Sequence, residues 1–289
     1  MIWLSARWKI ALMVIPALIF FTVFIVYPVG YSLVFSFTKF DGFKPPEFNG
    51  ITNYVTLFED KFFWRSLANT GIIFAITVTI LIPLAFALAL LMQKRIPAAG
   101  ALRALIFAPA IIAPILAGLI WIFVLDPKAG LLNAALGALG LPQPIWIGGD
   151  VLSPLSVAFV FMWTQVGFAM TIFYAGLQLL PHDVLEASEL DGASGFQRVI
   201  HVIVPMMRES FTIVAVLMIT GVFKIFEIVY VLTGGGPVHT SETLVSYTYF
   251  LTFTSQRYGL GMASAVIVTL LGMVVGLAYL VIARRRQVA

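Results

Sequence analysis

Hydrophobic residues in this chain fall into long blocks separated by short polar segments. Uncharged windows run over about 10–37, 66–93, 104–125, 151–180 and 258–283, and a further one over 210–232 is interrupted by Lys224 and Glu227. Each is long enough to cross a hydrocarbon core of about 30 Å as a helix. The pattern predicts an all-α integral membrane protein with six transmembrane helices, forming one transmembrane domain over 1–289. Pro16, Pro28, Pro83, Pro109 and Pro114 fall inside these windows. Within a helical bundle, neighbouring helices can satisfy the carbonyls that a proline frees, so kinks rather than ends are expected. Small residues such as Ala85, Ala87, Ala89, Gly272 and Gly276 permit close helix approach.

Composition agrees with that reading. The chain is 61% hydrophobic and 10% charged over 289 residues, with a mean hydropathy of +1.03. A water-soluble fold cannot hide so much apolar surface. Arg7 and Lys9 followed by an apolar stretch resemble a signal peptide. That stretch continues to about residue 37 without a small-x-small cleavage site, so it reads as a retained first span. The chain has no cysteine, hence no disulfide or thiolate site, and its three histidines lack metal-ligand spacing. A net charge of +4 reports topology before it reports an anionic partner, and no nucleic acid is expected.

Basic residues are unequally divided between the two sets of loops. Arg7, Lys9, Lys94, Arg95, Arg103, Arg198, Arg208, Arg284, Arg285 and Arg286 lie on one side, ten in all, against six (Lys39, Lys44, Lys61, Arg65, Lys128, Arg257) on the other. The richer side, which carries both termini, is expected to be cytoplasmic. The outer loops, about 38–65, 126–150 and 233–257, are each too short for an independent domain.

The longest cytoplasmic loop, about 181–209, is polar and helix-forming. Asp183 and Glu186 have capping-box spacing, which predicts a helix start there. Gly192 suits the left-handed residue that ends such a helix, and Ser194 with Gln197 repeats the capping-box pattern. Pro205 limits or kinks the second helix. A helix–turn–helix too polar to re-enter lipid and too short to fold alone calls for a protein partner.

Within this loop, Glu186-Ala187-Ser188, Gly192, and Val202-Ile203-Val204-Pro205 resemble the EAA loop of binding-protein-dependent ABC importer permeases. Ser188, Val202 and Val204 depart conservatively from that pattern. Other segments, in order, resemble the carbohydrate-uptake branch and its maltose-type first permease subunit. They are Tyr27-Pro28 with Tyr31-Ser32-Leu33, Ser36-Phe37-Thr38, Phe48-x-Gly50 with Asn53-Tyr54, and Asn69-Thr70. Ala175-Gly176-Leu177-Gln178, Asp191-Gly192-Ala193, Phe223 with Phe226, and Thr233-Gly234-Gly235-Gly236-Pro237 complete the set.

The resemblance implies a type I ABC importer transmembrane domain in a prokaryotic inner membrane. It implies a heterodimer with a second homologous permease, two ATPase subunits below, an external solute-binding protein above, and a carbohydrate substrate. ATP and Mg²⁺ would be bound by the partner subunits, with no cofactor on this chain. Glu186, Ala187, Ser188, Glu189, Asp191, Gly192, Ala193 and Pro205 would couple to an ATPase subunit, Glu186 as a charged contact and Gly192 as the tight turn.

Candidates for the substrate pathway are Trp163, Thr164, Gln165 and Phe168 near the middle of span four. An aromatic beside an amide suits a sugar, whose ring stacks while its hydroxyls hydrogen-bond; an interhelical hydrogen bond from Gln165 is the other reading. Lys224 and Glu227, at i,i+3, are expected on one helix face, able to pair, in either a structural, gating or substrate role. Gly234-Gly235-Gly236 lacks the Gly-Lys-Ser/Thr of a phosphate loop. It reads as a loop meeting the binding protein or as an ordinary turn. No nucleophile–base set or Walker motif occurs, so the chain is read as a transport subunit rather than an enzyme. Rival readings are an ABC permease for phosphate, an amino acid or a polyamine, which a substrate panel separates, and a stand-alone secondary transporter, which would carry inverted repeats.

Overall fold

The computed structural model describes residues 7–93 and 97–288; Lys94 and Arg95 of the basic set lie outside the described residues. In the N-terminal part, α1 (Arg7–Phe21) passes through a π-turn, Thr22–Val26, into α2 (Tyr27–Phe35). A two-residue antiparallel pair, β1 (Thr38–Lys39) with β2 (Glu47–Phe48), precedes α3 (Thr52–Glu59). Then α4 (Lys61–Ile76) continues through a π-turn, Thr77–Leu81, into α5 (Ile82–Gln93). Next come α6 (Ala99–Ile111), α7 (Pro114–Leu125), α8 (Leu131–Ala138) and the long α9 (Leu152–Gln178). The elbow holds α10 (His182–Leu190), α11 (Gly195–Arg198), a π-turn Val199–Ile203 and α12 (Val204–Met206). After it stand α13 (Arg208–Val222), α14 (Glu227–Leu232), α15 (Leu244–Tyr249), a π-turn Phe250–Thr254 and α16 (Tyr258–Val288).

Four stretches are unbroken and apolar enough to cross a membrane: Ala11–Phe35, Lys61–Gln93, Leu152–Gln178 and Tyr258–Ala283. Counting each of two bent pairs as one span raises the number to as many as six. They are Ala99–Ile111 with Pro114–Leu125, bent by 102°, and Gly195–Met206 with Arg208–Val222, bent by 74°.

The prolines explain where helices widen and where they break. Three π-turns end two residues before a proline: Val26 before Pro28, Leu81 before Pro83, and Ile203 before Pro205. Proline offers no N–H to the carbonyl four residues back and its ring crowds that carbonyl. A turn widened by one residue absorbs the conflict without ending the helix. At Pro114 the outcome differs. Ala113 is extended (φ −57°, ψ 137°), as the residue before proline prefers, and α7 begins afresh. The expected single helix over 104–125 is therefore two helices.

A second correction concerns 210–232. The helix stops at Val222, residues 223–226 are non-helical, and Phe226 (φ −132°) leads into α14. The Ile225 carbonyl freed by this break accepts a hydrogen bond from Thr243 Oγ1 at 2.7 Å. Lys224 and Glu227 therefore do not share a helix face, and no ion pair joins them among the described residues.

The chain forms two compact units. The first comprises residues up to Lys61 with Thr248–Leu270. There Asn53 Nδ2 donates to the carbonyls of Ser36 and Thr38, both at 2.8 Å, and the Tyr54 and Ser36 hydroxyls meet at 2.7 Å. The α16 backbone approaches so closely at Gly259 that a Cβ there would lie 2.0 Å from the Thr38 carbonyl oxygen. Ala11–Phe35, by contrast, is exposed along its length.

The second unit spans Phe62–Tyr247 with Leu271–Ala289 and holds a continuous apolar core. Leu81, Ala85 and Ala89 of the second span meet Val157, Val160, Ala169 and Phe173 of α9 in that core, all fully or almost fully buried. Small residues on both sides allow the approach. A buried polar latch closes the other end. Asn69 Nδ2 donates to the carbonyls of Thr240 (2.8 Å) and Glu242 (2.9 Å), and Thr70 Oγ1 accepts from the Leu244 N–H at 3.0 Å. Replacing Asn69 by leucine leaves two buried carbonyls without a donor, and is expected to lower stability by about 2–4 kcal/mol. Thermal unfolding in detergent checks this; an unchanged midpoint would remove the latch from the account.

Glu242, 5% exposed, sits inside this latch, in the segment between α14 and α15. Its Oε1 lies 3.1 Å from His239 Nδ1 and its Oε2 accepts from Ser246 Oγ at 2.9 Å. Burial raises its pKa above the ordinary 4.5, against the opposing pull of the His239 and Ser246 hydrogen bonds. Between the unfolded and the raised folded value the folded state holds more protons, so this group's contribution to stability falls as pH rises through that window. The wild-type thermal midpoint, relative to that of Glu242→Gln, is therefore expected to decline from pH 4.5 upward. A constant difference across pH would show the carboxyl to be unperturbed.

Candidate functional site

The elbow between α9 and α13 is built by local signals. Pro181 is the N-cap of α10, without a side-chain cap, so the helix starts ahead of the expected Asp183 cap. Asp183 lies instead in the first turn, where a carboxylate suits the positive end of the helix. At the far end Gly192 takes φ +80°. The Gly192 N–H donates to the Glu189 carbonyl (3.1 Å) and the Ala193 N–H to the Ser188 carbonyl (3.0 Å), a Schellman closure that leaves Asp191 as C-cap. The capping box of Ser194 and Gln197 then starts α11 as the spacing predicts. Arg198 and Glu189 form an ion pair that clasps α10 to α11.

One face of this elbow is tied down. Leu177, Leu180, Ile203 and Met207 belong to the buried core, and Leu185 packs on it. Ser188, 8% exposed, turns inward on the same side of α10, its Oγ donating to the Leu185 carbonyl at 2.7 Å. The other face is open. Glu186, Ala187 and Glu189 are exposed, as are the apolar side chains of Leu190 (89%) and Phe196 (75%). An exposed mixture of carboxylates and large apolar residues on a rigid knob has the character of an interface core with a charged rim. Pro205 follows the elbow's π-turn, Val199–Ile203, and the chain bends at Met207 into α13.

The pathway candidates are not brought together as one cluster. Trp163 and Gln165 lie two residues apart on the continuous helix α9 and so point to opposite sides. Gln165 and Phe168, at i,i+3 on α9, do share a face, so an aromatic lies beside the amide there. Trp163 meets Trp121 edge-on at 5.5 Å, and Trp121 meets Phe159 at 4.8 Å. Thr164 is buried and donates to the Phe161 carbonyl at 2.8 Å, Gln165 is half-buried, and Phe168 is exposed. Lys224 is exposed in the break after α13, and Glu227 is half-buried in the first turn of α14.

Sequence reasoning missed Trp121, whose buried Nε1 has no hydrogen-bond partner among the described residues. A tryptophan in an apolar run carries no signal for that. No group of three potential metal ligands occurs among the described residues.

The family described as "Binding-protein-dependent transport system inner membrane component" matches residues 81–288. The probable ABC transporter permease protein YurN of Bacillus subtilis (strain 168) is 32% identical over 92% of this chain and 92% of its own length. The trehalose/maltose transport system permease protein MalF of Thermococcus litoralis is 29% identical, over 96% and 94% respectively. Among solved structures, a chain of a bacterial alginate ABC transporter, crystallised in complex with an alginate pentasaccharide-bound periplasmic protein, superposes with a TM-score of 0.83. It is 20% identical and the match covers 96% of this chain and 94% of that one. The all-helical membrane fold is thus that of ABC importer permeases. The chain belongs to the binding-protein-dependent transport system inner membrane components, and is a multi-pass, non-catalytic permease subunit of that family.

Proposed function

We propose that this chain is one permease half of an ATP-driven importer for a sugar, oligosaccharide or polyol. It pairs with a second, homologous permease subunit. Two ATPase subunits, which bind ATP and Mg²⁺, engage it from the arginine-rich side, and an external solute-binding protein delivers the solute to the other. That places both termini in the cytoplasm of a prokaryotic cell, in line with the ten basic residues against six. The carbohydrate class is supported by the ordered segments from Tyr27 to Pro237 and by the trehalose/maltose relative.

The observation that carries the coupling assignment is the elbow itself. Its inner face is held to the core and its outer face presents Glu186, Ala187, Glu189, Leu190 and Phe196 to solvent. Closure of the ATPase pair around ATP would move this knob as a rigid lever and swing the attached spans, a two-state rigid-body switch. Trp163, Thr164, Gln165, Phe168, Lys224 and Glu227 are the candidate pathway residues, with Phe168 and Lys224 the exposed ones.

Because the chain has no cysteine, Ala187→Cys introduces a unique thiol on the elbow. A thiol-directed photocrosslinker at this site, in native membranes with the complete transporter, is expected to capture an ATPase subunit and to do so in a nucleotide-dependent manner. Capture of none, with solute uptake indifferent to ATP, would sink the proposal. Uptake measured over a panel of sugars, polyols, phosphate and amino acids identifies the solute class.

A further inference from the structure

The segment between α7 and α9 has its polarity inside out. Asn133 of α8 is 2% exposed and faces inward. Its Nδ2 donates to the carbonyls of Pro127 (3.1 Å) and Pro144 (3.0 Å), and its Oδ1 accepts from Trp146 Nε1 at 2.8 Å. The side of α8 turned away from the protein carries Leu131, 67% exposed, with Ala134 and Ala138. Leu139 (74%), Leu141 and Ile145 extend that exposed apolar surface past the helix. Residues 129–149 hold no charged side chain. A surface helix in water shows the reverse arrangement, apolar inward and polar outward.

Two hydrogen bonds fix the depth of this segment. Ser156 Oγ donates to the Trp146 carbonyl at 2.9 Å, and the Gly148 N–H donates to Ser153 Oγ at 2.8 Å. Trp146 is thereby held beside the second turn of α9, and Asn133 holds α8 to Trp146. The 27 residues of α9 rise about 40 Å at about 1.5 Å per residue. Centred on a hydrocarbon core of about 30 Å, the helix protrudes by about 5 Å at each end. Ser156 lies about 6 Å from the start of α9 by the same rise, hence at the edge of the hydrocarbon.

We propose that α8 and the turn after it lie in the bilayer interface, with their apolar face against lipid at the end of α9 opposite the elbow. Val151, Leu155 and Phe159 are exposed at i, i+4 and i+8 along α9, so an apolar stripe of the span leads directly into this segment. A tryptophan at the hydrocarbon edge, its N–H satisfied and its ring half-buried, is the residue type that marks a membrane–water boundary. A solute-binding protein that leaves between cycles is met through a surface with a polar rim, which a charge-free stretch does not offer. Only the membrane fold enters this assignment; it is independent of the solute and of the coupling reading.

The test uses the complete transporter in liposomes, with any cysteines of the partner subunits replaced. Ala138→Cys and Leu139→Cys, both at exposed positions that make no side-chain hydrogen bond, each carry a nitroxide label. Lys44→Cys, exposed in the turn between β1 and β2, is the reference for water. Electron paramagnetic resonance then compares collisions with oxygen, which concentrates in hydrocarbon, and with a water-soluble nickel chelate. The oxygen-to-chelate ratio at 138 and 139 is expected to be several times that at 44, whether or not the binding protein is present. A ratio equal to that at 44 overturns the proposal, because the face is then in water. Labels immobilised and shielded from both reagents overturn it as well, because polypeptide, from the second permease or the binding protein, then covers the face.

Discussion

Replacing Gly167 by alanine is expected to destabilise the protein by about 3 kcal/mol, enough to deplete folded protein from the membrane. A Cβ at this position would lie 2.1 Å from the Ile106 carbonyl oxygen and 2.8 Å from both the Ile106 carbonyl carbon and the Phe107 Cα. Contacts below 3.0 Å are essentially never made by real Cβ atoms, and here the obstacle is backbone rather than the end of a flexible side chain. The neighbouring helix cannot retreat at low cost. α6 is joined through the 102° bend at Pro114 to α7, and α7 is itself pressed against α14, where a Cβ on Gly118 would meet Val231 Cβ at 3.1 Å. Relief at Gly167 would therefore have to propagate through two further helices. Gly71→Ala is the matched control, because nothing lies within 4 Å of its added carbon and it sits inside α4. Alanine there is expected to be neutral or slightly stabilising. Thermal midpoint and yield in detergent compare the two; equal behaviour would mean that α6 and α9 are not in backbone contact.

The sequence pattern carried the all-helical membrane character of the chain and the four unbroken apolar helices, because twenty or so uncharged residues have few other uses. It also carried the elbow's turn chemistry, since Gly192 and the Ser194–Gln197 box act within a few residues of themselves. It did not carry the breaks. Pro109 and Pro114 are both inside the third apolar window, yet Pro109 stays within α6 and Pro114 ends up starting α7. Proline chemistry permits either result, and the packing of neighbouring helices decides. Likewise nothing local marks 223–226 as non-helical, because the group that satisfies the freed Ile225 carbonyl is Thr243, eighteen residues on.

The family-like segments illustrate the same limit from another side. Asn69-Thr70 looks like a local signature, but in the fold it bonds to Thr240, Glu242 and Leu244, about 170 residues on and just beyond the Thr233–Pro237 segment. Asn53-Tyr54 and Ser36-Phe37-Thr38 are joined in the same way. Residues that resemble a recognition motif in sequence are here the donors and acceptors of structural latches. The pathway candidates on α9 divide between its faces for a simpler reason. Proximity in sequence on a helix separates side chains two apart, so Trp163 and Gln165 could never have shared a face.

Reversing the charge at Glu186 is the sharpest test of the elbow as a lever. Glu186→Lys is expected to leave the fold unchanged, because the side chain is exposed and makes no hydrogen bond or ion pair among the described residues. The elbow's own rigidity is supplied elsewhere, by the Glu189–Arg198 clasp, the closure at Gly192, and the packing of Leu185 on the core. The reversal therefore acts outward. Losing one partner of a charged contact across an interface commonly costs 2–5 kcal/mol, and placing a like charge there costs more, so uptake is expected to fall about a hundredfold or further. Glu186→Gln, which keeps the shape and loses only the charge, is expected to fall less than the lysine variant. The readouts are solute uptake and ATP hydrolysis in proteoliposomes containing the whole transporter, with the thermal midpoint as the check on folding. If the lysine variant is folded and assembled but transports at the wild-type rate, Glu186 lies outside any contact that drives transport. A graded loss from glutamate through glutamine to lysine at constant thermal midpoint could arise only from a partner that reads charge on this face of α10.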